Sequence, residues 1–140
     1  VLMKQASDLH SPTLNQMAIA DVAAQIFDDH VAKIREAYRA RRDAMLTALE
    51  VHMPEGVEWT RPEGGMFIWI TLPKGMDGAD LLTKSLQIQR VAFVPGAAFF
   101  ADGSGRNTIR LSFSRADEVT IAEGIKRLGA LVRGEETAAS

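Results

Sequence analysis

The sequence contains no cysteine and only three histidines, His10, His30 and His52. A chain without thiols has no disulfide framework, no cysteine nucleophile and no thiolate-bound metal. The histidines are scattered without ligand spacing, so no metal site is expected. Neither sign of charge dominates: 16 basic and 18 acidic side chains leave a formal net charge of -2. That balance argues against binding to nucleic acid or to an anionic membrane by bulk electrostatics. No apolar run approaches the roughly 20 residues of a membrane-spanning helix. Val1-Leu2-Met3 meets Lys4 at once, which is not a signal-peptide pattern, and with no initiator Met the chain is expected to be a fragment of something longer. The lack of thiols fits a reducing compartment, and the expected location is cytoplasmic. Familiar catalytic machinery is also missing. No Gly-rich loop precedes a helix, Gly103-Ser104-Gly105 leads into a strand and reads as a turn, and no Ser-His-Asp spacing is recognisable.

What is present is ordinary globular material. Of 140 residues, 46% are hydrophobic and 24% charged, enough for one domain that buries roughly two thirds of its unfolded surface. Residues 1–15 read as an irregular lead-in, with Ser11 as a helix cap and Pro12 in the first helical position. A helix from about Thr13 to Phe27 is apolar around much of its circumference, which predicts burial on more than one side. Asp28-Asp29 punctuates, and a second helix runs from about His30 to His52 with Val31, Ile34, Tyr38, Met45 and Leu49 at helical spacing. Arg41 and Arg42 interrupt that stripe. Met53-Pro54-Glu55-Gly56 ends it. Further on, the pattern predicts an edge strand at 57–61, a central strand at 66–72, a helix at 79–89 and a short strand at 90–94. Residues 95–107 form a loop. The strand at 108–114 alternates cleanly, with Ile109, Leu111 and Phe113 opposed to Thr108, Arg110, Ser112 and Ser114. Ser114 with Asp117 resembles a capping box for the last helix, which carries Ile121, Ile125, Leu128 and Val132. The tail from Gly134 should fray.

This order predicts an α+β fold, a small and mostly antiparallel sheet covered by helices, preceded by two helices that reach beyond what such a sheet can cover. Those two are expected to pack against a large domain outside the chain. Within the small fold, Arg110 stands mid-strand among short polar neighbours. A guanidinium on a rigid strand offers a planar fork of donors to a carboxylate, although by pattern alone a solvated sheet face is the more frequent place for an arginine. Phe67 and Trp69 share one face of the central strand and read either as an aromatic wall beside a ligand or, by pattern alone, as plain core. Phe99-Phe100 in a glycine-containing loop needs a reason, which is either a ligand or a loop folded back on the core. Arg41 and Arg42 read either as partners of buried carboxylates or as solvated.

Five segments together resemble one family. They are KQASDLHSPTLNQ from Lys4, YRARRD from Tyr38, RPEGGMFIW from Arg61, VPGAAFF from Val94 and NTIRLSFS from Asn107. In this order and with these gaps, the chain resembles the C-terminal part of class I/II, fold-type I, pyridoxal-phosphate-dependent aminotransferases, in particular the 2-aminoadipate and kynurenine group. The resemblance implies that Arg110 binds the α-carboxylate of amino-acid and 2-oxo-acid substrates, and that Phe67 and Phe99 line the side-chain pocket. It implies a homodimeric parent in which the stretch around Ser11 and Thr13 lies near the partner subunit and contacts the cofactor phosphate. It also implies domain limits: residues 1–29 end the large cofactor-binding domain, 30–54 form a long connecting helix and 55–140 form the small domain. The family's Schiff-base lysine is not matched by Lys4, Lys33, Lys74, Lys84 or Lys126, so the segment contains no catalytic residue and is expected to be inactive by itself. Two other readings are weighed against the enzyme. One is the ligand-sensing, aminotransferase-like domain of a bacterial transcription regulator, and the other is a stand-alone binding domain.

Overall fold

Ile109, Leu111 and Phe113 are 0%, 4% and 1% exposed, and the sheet is built around that alternation in the computed structural model, which describes residues 2–7 and 10–135. The chain divides into two compact units, residues 1–36 and 37–140.

Residues 37–140 contain the sheet. Its strands are β1 (Glu58–Trp59), β2 (Phe67–Thr71), β3 (Val94–Pro95) and β4 (Thr108–Ser112), in the spatial order β1-β2-β4-β3. Every neighbouring pair is antiparallel. The β2–β4 ladder pairs Phe67 with Ser112, Trp69 with Arg110 and Thr71 with Thr108. Successive side chains of a strand point to opposite faces, so Ile68, Ile70, Ile109 and Leu111 fall on the buried face. Met45, Ala48 and Leu49, then Leu81, then Ile121, Ile125, Leu128 and Leu131 complete the same core. These come from α2 (Thr13–His52), α3 (Gly78–Lys84) and α4 (Glu118–Val132). The fold is α+β, with helices on one face of a small antiparallel sheet, as the residue order predicts. The other face, with Phe67, Trp69 and Arg110, is left partly open.

Several boundaries differ from expectation, each for a local reason. Residues 2–7 are not irregular but form a short helix, α1 (Leu2–Ser7), in which Ser7 Oγ donates to the Met3 carbonyl at 3.0 Å. Leu, Met, Lys and Ala there are strong helix formers. The two expected helices are one: α2 runs unbroken for 40 residues through Asp28-Asp29. Aspartate is a mediocre helix former but not a breaker, and Thr13–His52 contains neither Gly nor Pro. The first backbone bond of α2 goes from Gln16 N to the Pro12 carbonyl at 3.1 Å, which makes Pro12 rather than Ser11 the capping position. The Ser11 carbonyl instead accepts from Gln16 Nε2 at 2.7 Å.

The helix predicted at 79–89 is α-helical only to Lys84 and closes with a π-helical turn, Ser85–Gln89. Buried Ser85 donates its hydroxyl to the Val91 carbonyl at 2.7 Å, and Arg90 takes a left-handed conformation at φ 55°. That delays the strand predicted from residue 90 until Val94. At α4 the cap is Asp117, which accepts from Thr120 N at 2.8 Å, not Ser114. Hydrogen bonds from Thr120 hold the Asp117 carboxyl below its usual range.

Residues 13–30, in the first unit, are largely exposed, including Leu14, Met17, Ile19, Ile26 and Phe27. The burial expected of this apolar stretch is therefore not provided by the described residues. Among the described residues, no helix is long and apolar enough to cross a membrane. The tail beyond Glu135, expected to fray, lies outside the described residues.

Candidate functional site

The open sheet face carries one concentrated feature, a cation set among aromatic rings. Arg110 projects from the middle of β4 between two partner strands, opposite Trp69 of β2 and Val94 of β3. Its guanidinium carbon lies 4.0 Å from the Phe67 ring centroid and 4.6 Å from that of Phe99. Both distances are within range of a cation–π attraction. The rings remain 40% and 49% exposed, so Phe67 is not plain core, and the site opens toward solvent. Arg110 Nε is buried and has no hydrogen-bond partner among the described residues. A buried donor left unpaired is costly, and an incoming carboxylate is the group best shaped to satisfy a guanidinium edge.

The loop after β3 brings Phe99 to this position. Residues 96–99 form a single 3-10 turn, and its first residue, Gly96, lies against β4. A Cβ at Gly96 would collide with the Thr108 hydroxyl and approach the Trp69 indole. Further along, Ser104 donates from both its backbone N (3.0 Å) and its hydroxyl (2.7 Å) to Asp102 Oδ1. These bonds hold the Asp102 carboxyl below its usual range and fix the turn that returns the chain to β4. Thr108 then anchors the strand start, its hydroxyl donating to the Gly105 carbonyl at 2.6 Å.

Two arginines of α2 brace the strand ends nearest the site. Arg41 Nη1 donates to the Ser114 carbonyl at 2.6 Å, just beyond β4. Arg42 Nη1 reaches the Pro62 and Glu63 carbonyls at 3.4 and 3.3 Å, in the turn before β2. Arg42 also pairs with exposed Asp43 at 2.6 Å. Their partners are thus mainly backbone carbonyls, neither buried carboxylates nor water alone. Cationic donors also make the stronger hydrogen bonds.

Of the residues singled out from the sequence, Arg110, Phe67 and Phe99 come together in residues 37–140. Ser11 and Thr13 lie in the other unit, at the start of α2, with Ser11 partly buried and Thr13 exposed. Trp69, read either as an aromatic wall or as core, and Phe100, read either as facing a ligand or as a loop folded back on the core, belong to the aromatic cluster at Arg110. Their signal in the sequence was the shared face of Phe67 and Trp69 together with a second aromatic beside Phe99. All five lysines are solvent-exposed. Among the described residues no cluster of His, Asp and Glu could hold a metal ion.

Residues 1–128 match the family Aminotransferase class I and II. The chain is 46% identical to the 2-aminoadipate transaminase of Thermus thermophilus over 134 residues, which covers 96% of this chain and 34% of that protein. It is similar in structure to the Pyrococcus horikoshii kynurenine aminotransferase, with a TM-score of 0.84 at 47% identity over 98% of this chain and 34% of that one. A more distant relative, 31% identical over 94% of this chain and 27% of that protein, is an uncharacterised HTH-type transcriptional regulator of Bacillus subtilis. The chain spans about a third of the length of the two aminotransferases and about a quarter of that of the regulator. With the match running through the strand, loop and turn that assemble the Arg110 site, the chain belongs to the class I and II aminotransferase family.

Proposed function

We propose that this chain is the C-terminal part of a pyridoxal-phosphate-dependent aminotransferase, and that Arg110 binds the α-carboxylate shared by its amino-acid and 2-oxo-acid substrates. The observation that carries this reading is the Arg110 guanidinium, held against two aromatic rings, with no acceptor for its buried Nε among the described residues. A guanidinium fork matches carboxylate and phosphate alike, and here Arg110 is assigned to the substrate carboxylate. The cofactor, when bound, supplies the electron sink for amino-group exchange, and its lysine anchor belongs to the rest of the enzyme. Arg110 contributes orientation: a bidentate grip on the carboxylate fixes the substrate's other groups relative to the reacting centre. Phe67 and Phe99 lie against the guanidinium and shield the ring-facing sides of its charge, while leaving it open to a ligand.

In this reading residues 1–29 end the large domain, 30–54 connect, and 55–140 form the small domain. The parent enzyme is a cytoplasmic homodimer, and Ser11 or Thr13 contacts the cofactor phosphate of the neighbouring subunit. The apolar stripe of residues 14–27 is covered by the remainder of the enzyme. Identities that run higher toward free-standing aminotransferases than toward the regulator support the enzyme over the sensor. The test is Arg110→Ala in the full-length enzyme. A fall in kcat/KM of at least about tenfold, roughly 1.4 kcal/mol of transition-state binding, is expected for both substrates. A smaller fall removes Arg110 from the role.

A further inference from the structure

Trp69 stands directly opposite Arg110 in the β2–β4 ladder, and paired residues project to the same face of a sheet. The indole meets Phe99 in a T-shaped contact, with ring centroids 5.5 Å apart and planes at 76°. It meets Phe100 in a tilted contact, at 6.0 Å and 51°. Two consecutive rings of the loop after β3 are therefore seated on one side chain of β2. Glycines admit this seating at both ends of the loop. Gly96 leaves room for the indole, and Gly105 (φ 72°) leaves room for the Phe100 ring, which any Cβ there would strike. Phe99 thus stands in T-shaped contact with Trp69 and carries Arg110 over its ring. Phe67, on the same face of β2 as Trp69, supplies the other ring.

An arginine side chain is long and loses much rotamer freedom when fixed. Ring contacts on the guanidinium restrict that freedom before a ligand arrives, and its donors all lie in one plane. Whatever holds the rings sets the direction of those donors. We propose that Trp69 is a positioning residue: by holding Phe99 against Arg110 it pre-orients the guanidinium fork toward a planar carboxylate. This rests on the reading of Arg110 as the carboxylate site. It gives Phe99 a task independent of the substrate's side chain, since the ring acts on the group that all substrates share.

The experiment compares Trp69→Leu, Trp69→Phe and Phe99→Leu in the full-length enzyme, with two 2-oxo acids of unlike side chains, 2-oxoglutarate and 2-oxo-4-methylpentanoate. Arg110→Ala serves as the reference. Trp69→Leu and Phe99→Leu are expected to raise KM for both acids by the same factor, about three- to tenfold, the size of a lost cation–π contact. kcat should stay within about twofold, as for lost ground-state binding. Trp69→Phe keeps an aromatic edge and should recover to within about twofold of the parent. Phe99 is half exposed, so its variant tests the same link without opening the sheet. The proposal is overturned if either leucine variant changes KM for one acid and not the other, because the ring then reads the side chain. It is equally overturned if Trp69→Phe is as impaired as Trp69→Leu. If Arg110→Ala leaves both acids unaffected, the carboxylate reading itself fails and the proposal falls with it.

Discussion

Arg110 shows how much one residue can owe to its neighbours. Lysine at the same position would keep a positive charge near Phe67 and Phe99 but would lose the planar fork, and a point charge does not fix a carboxylate in two directions. On the proposed carboxylate role, Arg110→Lys in the full-length protein should therefore resemble the alanine variant more than the parent. A loss of about tenfold or more in kcat/KM is expected, from steady-state rates with both substrates. Retention of more than half the activity would show that charge alone suffices. The strand alternation made Arg110 visible in the sequence, because a long cation among Thr108 and Ser112 breaks the pattern of short polar residues. Its aromatic setting was harder to read. Phe67 and Trp69 alternate with Ile68 and Ile70, so both faces of β2 look apolar, and alternation alone does not say which face the helices cover.

At the scale of elements, side-chain hydrogen bonds join pieces that backbone ladders leave separate. Arg41 and Arg42 tie α2 to the chain just outside β4 and β2. Asp77 does the same for α3. One carboxylate oxygen caps the helix by accepting from Ala79 N at 2.8 Å, and the other accepts from Arg106 Nε at 2.8 Å, in the turn before β4. The Arg106 hydrogen bond, and then that of Ala79, hold the Asp77 carboxyl below its usual value of 3.8. A carboxyl depressed on folding adds stability that is fully present above its unfolded value and is lost as pH falls through the folded one. Asp77→Asn should therefore unfold at lower urea than the parent at neutral pH. The gap should narrow once pH drops below about 4. A gap of constant size from neutral to acid pH would show that the carboxylate charge is not what matters. Element limits were legible where a pattern was exclusive, as in the alternation at 108–112 and the stripe Ile121, Ile125, Leu128 of α4. They were not legible where a polar pair only looked like punctuation, as at Asp28-Asp29. Nor were they where one buried hydroxyl, Ser85, redirects the backbone into a π turn that no periodicity announces.

At the scale of the whole molecule, apolar surface is distributed unevenly. Leu49, Ile68, Ile70, Ile109 and Leu128 are fully buried in residues 37–140, whereas Leu14, Ile19 and Phe27 are 80%, 67% and 61% exposed in residues 1–36. Ala18, Ile19, Val22, Ala23, Ile26 and Phe27 line one continuous apolar strip of α2. Contiguous apolar surface of this kind is rare on soluble monomers and drives association. A 140-residue chain prepared alone should thus self-associate with rising concentration, as read by sedimentation velocity, and should bind a hydrophobic dye while retaining its helical circular dichroism. Replacing both Ile19 and Ile26 with Glu puts two charges on that strip without touching the core at Leu49. The double variant should be monomeric, lose most dye binding and unfold at an unchanged urea midpoint. By contrast, Leu49→Ala should lower stability by about 2–5 kcal/mol, because it empties a closed site. A parent chain that stays monomeric and dye-free across the same concentrations would contradict this reading of the strip, and would favour a self-standing domain over a part of a larger enzyme.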